Sequence, residues 1–256
     1  MPKNGVTIVL PTYNERENIR ILIPLIGKEL DGKTHYEIIV VDDDSPDGTW
    51  REAKKFEDIY NVRVIRRIGK RGLVSAILEG IARARHRYVI VMDADLQHPP
   101  EVIGKIHRHL KKCDLVIASR YVEGGGVEGW SPLRLIVSKG ATFLAHLFFP
   151  KIRIVRDPMS GFFGVNKGIL RGVKINALGF KVLLEILVKC RYKSLIEVPY
   201  IFRSRKYGSS KLSKGIMIQY VEHLFILFLQ TKNIRKLIYV MLLIMLFACG
   251  LIIWRL

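Results

Sequence analysis

Residues 88–97 read Tyr88-Val-Ile-Val-Met92-Asp93-Ala94-Asp95-Leu96-Gln97, an apolar run that stops abruptly at two carboxylates one residue apart. Unbroken apolar residues of this length predict a central parallel strand covered on both faces. Open α/β sheets place ligands beyond the carboxyl ends of such strands. Asp93 and Asp95 therefore sit where a ligand is expected. Two carboxylates in this spacing suit a hard divalent cation that also holds substrate phosphates, and Gln97 adds a neutral oxygen two residues on. An Asp-rich turn is the plainer reading of the same residues.

Working outward, apolar runs at Val6–Leu10, Tyr36–Val41, Val62–Ile65, Tyr88–Met92 and Leu115–Ala118 alternate with helical stretches at Glu17–Leu30, Thr49–Tyr60, Gly72–Arg85 and Pro100–Lys112. This alternation predicts a doubly wound α/β sheet of parallel strands with right-handed crossovers. The first strand runs into Pro11-Thr-Tyr13-Asn-Glu15 with no G-x-G-x-x-G, so a dinucleotide fingerprint is absent. The second ends in Asp42-Asp43-Asp44-Ser-Pro-Asp47-Gly48. Three adjacent carboxylates repel one another unless donors or cations face them. Nucleotide ring N–H groups and ribose hydroxyls would serve, and an Asp-rich helix cap before Thr49 is compatible with the same residues.

After residue 125 the pattern changes. Gly124-Gly-Gly126 reads as a flexible connector, Leu133–Phe149 and Ile216–Leu229 as apolar helices with few polar residues, and Phe162–Val165 and Ile196–Phe202 as further strands. The two helices are too short to span a bilayer comfortably and suit the headgroup plane, with burial in the core as the competing reading. Leu237 to Trp254 carries no charge and is bracketed by Lys232, Arg235, Lys236 and Arg255. At 1.5 Å per residue such a helix is about 27 Å long, close to the hydrocarbon thickness of a bilayer. The expectation is one C-terminal transmembrane helix, with the greater positive charge before it placing the catalytic part on the cytoplasmic side. The chain thus divides into 1–125, the half with the ligand-bearing strand ends; 126–231, the half with the interface helices; and 232–256, a membrane anchor.

Forty-two Lys and Arg against 23 Asp and Glu give a formal net charge of +19. Such a balance points to a polyanionic partner: nucleic acid, an anionic membrane or phosphorylated substrates. The basic run from Lys189 to Lys214, with Glu197 its one acid, borders the apolar helices rather than interleaving with aromatic residues. That arrangement favours lipid over nucleic acid. Cys113, Cys190 and Cys249 are too dispersed for a zinc site or a disulfide framework.

The ordered set Pro11-Thr-Tyr-Asn-Glu15, Val41-Asp-Asp-x-Ser-Pro-Asp-Gly-Thr49 and Met92-Asp-Ala-Asp-x-Gln-His-Pro99 resembles the family 2 glycosyltransferases. Within them it is most similar to the dolichol-phosphate mannose synthases of archaea and eukaryotes. The resemblance continues through Ser119-Arg120-Tyr121, Arg134-x-x-x-Ser138-Lys-Gly140, Asp157-Pro-x-Ser-Gly-Phe162 and Arg205-x-Tyr-Gly-x-Ser-Lys211.

It implies a GT-A type, Rossmann-like nucleotide-sugar transferase with a mostly parallel sheet. Pro11, Tyr13, Glu15, Val41 and Asp43 match positions that hold guanosine, and Asp93 and Ala94 match further nucleotide contacts. Asp95 and Gln97 match metal ligands for Mg²⁺ or Mn²⁺. Arg205 and Lys211 match a basic segment that closes over the diphosphate, although Ser209 stands where relatives usually carry Glu. GDP-mannose as donor, dolichyl phosphate as acceptor and a lipid bilayer as site of action are what the resemblance implies, with UDP-glucose as the alternative donor.

A phosphate monoester is mostly dianionic at neutral pH and is already a nucleophile. It needs collecting and aiming rather than deprotonation. Arg120, Arg134 and Ser138 suit that task, the last two being four apart on one helical face. Asp95 and Arg120 are thus the expected catalytic pair.

Overall fold

The computed structural model describes residues 5–175, 181–204 and 214–231. They fall in two compact units, Met1–Lys211 and Leu212–Leu256.

The first unit is built on a seven-stranded sheet in the order β3-β2-β1-β4-β7-β5-β8. Its strands are β1 (Val6–Thr12), β2 (Tyr36–Asp42), β3 (Val62–Arg66), β4 (Tyr88–Val91), β5 (Leu115–Ser119), β7 (Phe163–Asn166) and β8 (Leu195–Pro199). A two-stranded ribbon pairs β6 (Gly126–Val127) with β9 (Ile201–Phe202). Helices α1 (Arg16–Leu30), α2 (Thr49–Lys54), α3 (Leu73–Arg83), α4 (Val102–Leu110), α5 (Pro132–Phe148) and α6 (Val182–Lys189) complete the unit.

The apolar runs become β1, β2, β4 and β5, every residue of which is buried. Helix α1 presents Ile19, Leu22, Ile23, Ile26 and Leu30 to the sheet at helical spacing, and all are buried. Chain order reverses across β1, with β2 on one side and β4 on the other. A crevice at such a switch point is the standard ligand position of an open α/β sheet.

The sheet is not wholly parallel. β7 pairs antiparallel with both β4 and β5, whereas β1, β2, β3, β4, β5 and β8 share one direction. The cause is connectivity. The chain leaves β5 at its carboxyl end, forms α5, and re-enters the sheet from that same end, where Phe163 lies opposite Val91 and Ile117. β7 and β8 thus complete a sheet begun by residues before 125.

Two local expectations are revised, and one helix is added. The second helix stops at Lys54 and continues to Tyr60 only as turns. The Gly124–Gly126 connector is instead ordered as the lead into β6, with Gly126 N–H donating to Tyr200 O. α6 was not foreseen.

α5 leaves Leu133, Ile136, Phe143 and Leu147 exposed. In the second unit, α7 (Lys214–Gln230) exposes Met217, Ile218, Val221, Phe225 and Leu229. Both helices occur where apolar interface helices were expected. Among the described residues no helix is long and apolar enough to cross a membrane. Leu237–Trp254, where the sequence places a span, lies outside them.

Close packing of α3 on the sheet rests on Gly80, where a Cβ would lie 2.4 Å from Val9 Cγ1 and 3.1 Å from Val41 Cγ2. Both valines are fully buried in the strands that carry the crevice. Gly80→Leu is expected to lower stability by about 1–3 kcal/mol through overpacking, read as a reduced melting temperature. An unchanged melting temperature would contradict this contact.

Candidate active site

The carboxyl ends of β1, β2 and β4 form one wall of the crevice. Asp42 is fully buried and organises it: Oδ2 accepts from Thr12 Oγ1 (2.8 Å) and Ser45 Oγ (2.7 Å), and Oδ1 accepts from Ser45 N (2.8 Å). Ser45 Oγ in turn accepts from Asn14 N, and Thr49 Oγ1 from Glu15 N. The two strand-end loops are thereby laced together. Asp47 accepts from Thr49 N and Arg16 N, stabilising the start of α2.

The repulsion expected among Asp42, Asp43 and Asp44 is answered from within the protein. Asp44 pairs with Arg66 (2.5 Å). Asp43 Oδ1 accepts from Arg67 Nε (2.6 Å), and Oδ2 accepts from Gly72 N (2.8 Å). Arg67 is itself buried and also donates to Ser75 Oγ and Gly72 O. Arg67 carries no sequence signal, because its partner lies 24 residues earlier. Tyr13 lies under the Arg71 guanidinium, 4.5 Å from the ring centroid, and Glu15 accepts from Asn18 Nδ2. Pro11 and Val41 are buried in the floor between these groups.

At the end of β4 the chain turns through Leu96, whose φ of 63° is uncommon for a residue with a Cβ. Asp95 Oδ1 accepts from Gln97 N at 3.2 Å, an Asx turn that sets Asp95 and Gln97 together. Gln97 Nε2 donates to Arg203 O (2.9 Å), which fixes the orientation of the amide. Asp93 N donates to His98 Nδ1 (2.9 Å), so the neutral imidazole carries its proton on Nε2, 3.8 Å from Asp93 Oδ2. Burial lowers the His98 pKa against the pull of Asp93 and Asp95. The ring stacks on Phe162 (5.1 Å) and meets Tyr200 and Phe202 edge-on. Ala94 is buried behind the turn.

The opposite wall follows β5. Arg120 grips the fully buried Asp157 through its backbone N (2.9 Å), Nε (2.8 Å) and Nη2 (2.7 Å). Burial opposes the Arg120 charge, yet the hydrogen-bonded carboxylate more than offsets this and raises its pKa. Glu197 accepts from the backbone N–H groups of Arg156 and Asp157, so this acid of the basic run braces the turn. The Arg120 guanidinium lies 5.3 Å from the Tyr121 ring, 5.4 Å from Trp130 and 5.8 Å from Phe202. Arg134 stacks on the same Trp130 at 4.2 Å, and Tyr121 OH donates to Ser138 Oγ at 2.7 Å. Arg120, Arg134 and Ser138 are therefore gathered into one cluster. Tyr121, within the Ser119-Arg120-Tyr121 motif, and Trp130, which the sequence does not single out, organise this cluster.

The turn Asp157–Phe162 joins the two walls. Asp157 holds Arg120, while Gly161 is so close to Asp93 that a Cβ there would meet Asp93 Oδ2 at 3.0 Å. Lys181 donates to Met159 O within this turn (3.1 Å). Arg205 and Lys211 lie outside the described residues.

Asp95 and Gln97 together offer two hard oxygen ligands. Among the described residues no group of three His, Cys, Asp or Glu side chains stands ready for a metal. That donor set fits Mg²⁺ or Mn²⁺, which take few protein ligands and complete their shell with water and substrate phosphates.

A sequence profile described as glycosyl transferase family 2 matches residues 7–174, spanning both walls. The chain belongs to the family 2 glycosyltransferases. It is 47% identical over 221 residues to a dolichol-phosphate mannosyltransferase of Pyrococcus furiosus, covering 86% of this chain and 62% of that protein. The enzyme of the same name from Saccharomyces cerevisiae is 38% identical over 232 residues, 85% of each chain. Glucosyl-3-phosphoglycerate synthase from Mycobacterium tuberculosis, solved with Mn²⁺, UDP-glucose and glycerol 3-phosphate, superposes with a TM-score of 0.66 at 19% identity. That match covers 89% of this chain and 80% of the synthase, a likeness of fold. The GT-A, Rossmann-like architecture is thus the one expected from the strand ends.

Removing one partner of a buried ion pair leaves the other charge uncompensated. Asp157→Leu should cost about 3–5 kcal/mol in denaturant unfolding, and adding Arg120→Met should recover much of it. An Asp157→Leu protein as stable as the parent would contradict the pair's burial.

Proposed function

We propose that this chain transfers mannose from GDP-mannose to dolichyl, or another polyprenyl, phosphate, with inversion at the anomeric carbon. The carrying observation is the pairing of two walls across one turn: strand ends suited to a nucleotide diphosphate and a divalent ion, and an Arg–aromatic cluster suited to a phosphate monoester. The names of the two mannosyltransferase relatives support the choice of sugar and acceptor.

On the donor side, the loops laced by Asp42 form the nucleoside pocket. Tyr13 offers a flat face, Glu15 and Asp43 offer acceptors, and Pro11, Val41 and Ala94 exclude water. Arg205 and Lys211, outside the described residues, are the cations assigned to the diphosphate. Asp95 and Gln97 hold Mg²⁺ or Mn²⁺, which when bound supplies Lewis-acid neutralisation of charge on the departing diphosphate.

On the acceptor side, Asp157 fixes Arg120 as a permanent cation, and Trp130 and Tyr121 fix Arg134 and Ser138. The acceptor arrives ionised, so no general base is required. Its phosphate oxygen forms a bond to the anomeric carbon as the bond to the GDP oxygen breaks, and the electron pair leaves with GDP. A single displacement from the opposite face inverts the centre. The exposed apolar faces of α5 and α7, together with the +19 charge, favour action at an anionic membrane surface. We place that surface on the cytoplasmic side, with the segment 232–256 as anchor.

Incubation with dolichyl phosphate, Mg²⁺ or Mn²⁺ and radiolabelled GDP-mannose should give a mannosyl lipid, with UDP-glucose a much poorer donor. EDTA should abolish the signal. Asp95→Ala should lower kcat at least about 100-fold, the scale for losing a preorganised electrostatic element. Preference for UDP-glucose, or an unaffected Asp95→Ala enzyme, would overturn the assignment.

A further inference from the structure

Lys181 belongs to none of the strand ends from which the site was read. It is the residue preceding α6, half-buried, with its Nζ donating to Met159 O at 3.1 Å. Met159 lies between Asp157, which grips Arg120, and Gly161, which abuts Asp93. The ammonium therefore lies at the junction of the two walls.

The charges around it point the same way. Burial, with Arg120 pushing in the same direction, brings the Lys181 ammonium down to about 8, against the pull of Asp93 and Asp157. Lys181 also bears on His98. Two cations near enough to repel each other can converge on one anion. Asp157 cancels the Arg120 charge through two side-chain hydrogen bonds. Arg120 alone thus offers a dianion little net attraction.

We propose that Lys181 is a further cation for the acceptor's phosphate monoester, beside Arg120 and Arg134. This rests on the acceptor assignment above and extends it to a residue outside the Arg120, Arg134 and Ser138 set. The ammonium supplies the net positive charge that the Arg120–Asp157 pair lacks. It can donate to a phosphate oxygen while a second of its three N–H groups keeps Met159 O.

The test measures binding of farnesyl phosphate, a short soluble isoprenoid monoester, to the full chain by calorimetry, with farnesol as the uncharged control. Lys181→Gln should weaken farnesyl phosphate about ten-fold or more, the scale of one lost charge-assisted hydrogen bond. GDP affinity should stay within about two-fold, which also reports that the variant is folded. Lys181→Arg should retain most of the affinity. In the wild type, affinity should fall as pH rises through about 8, where Lys181 loses its proton while Arg120 stays charged. In Lys181→Arg it should not fall there. Equal binding of farnesyl phosphate by wild type and Lys181→Gln would overturn the inference, as would a loss confined to GDP. Failure of the wild type to transfer mannose, with farnesyl phosphate binding still lost in Lys181→Gln, would reject the donor or reaction and uphold the anion site.

Discussion

The buried pair of Arg120 and Asp157 is the constraint on which the site depends. Two opposite charges with little access to water persist only where geometry and hydrogen bonding compensate their desolvation. Here Asp157 accepts from Arg120 N, Nε and Nη2, and its own N–H is taken by Glu197. These bonds fasten the end of β5 to the turn that leads into β7. The same turn brings Gly161 against Asp93 at the end of β4. One electrostatic contact thus holds the two walls of the crevice together, and the antiparallel entry of β7 makes that contact available.

Much of this was legible in the chain because parallel strands buried on both faces are apolar throughout and end where polarity returns. Val6–Leu10, Tyr36–Val41 and Tyr88–Met92 each announced a strand, and the polar residues following each announced the crevice. The direction of β7 was not legible, since a four-residue apolar strand carries no sign of its polarity. The role of each acid in Asp42-Asp43-Asp44 was likewise hidden. Asp42 proves to be internal lacing with Thr12 and Ser45, and Asp43 bonds Arg67 and Gly72, contacts between residues distant in sequence. Lys181 and Trp130 went unseen for the same reason.

The electrostatic pattern explains how a chain of charge +19 can keep acidic groups at its centre. Asp43, Asp44 and Asp157 are each matched by an arginine, and Asp42 by hydroxyl and backbone donors. Asp93 and Asp95 stand in the turn after β4, where Asp93 faces His98 and Asp95 accepts from Gln97 N. The excess of positive charge is then available to polyanionic ligands.

The central claim is that the acceptor's phosphate attacks directly across the crevice, without a covalent enzyme intermediate. NMR of the lipid product made from GDP-α-mannose labelled with ¹³C at the anomeric carbon tests this most directly. The one-bond carbon–proton coupling at that centre should report a β linkage. An α-linked product would contradict single displacement and the arrangement of the two walls derived from it.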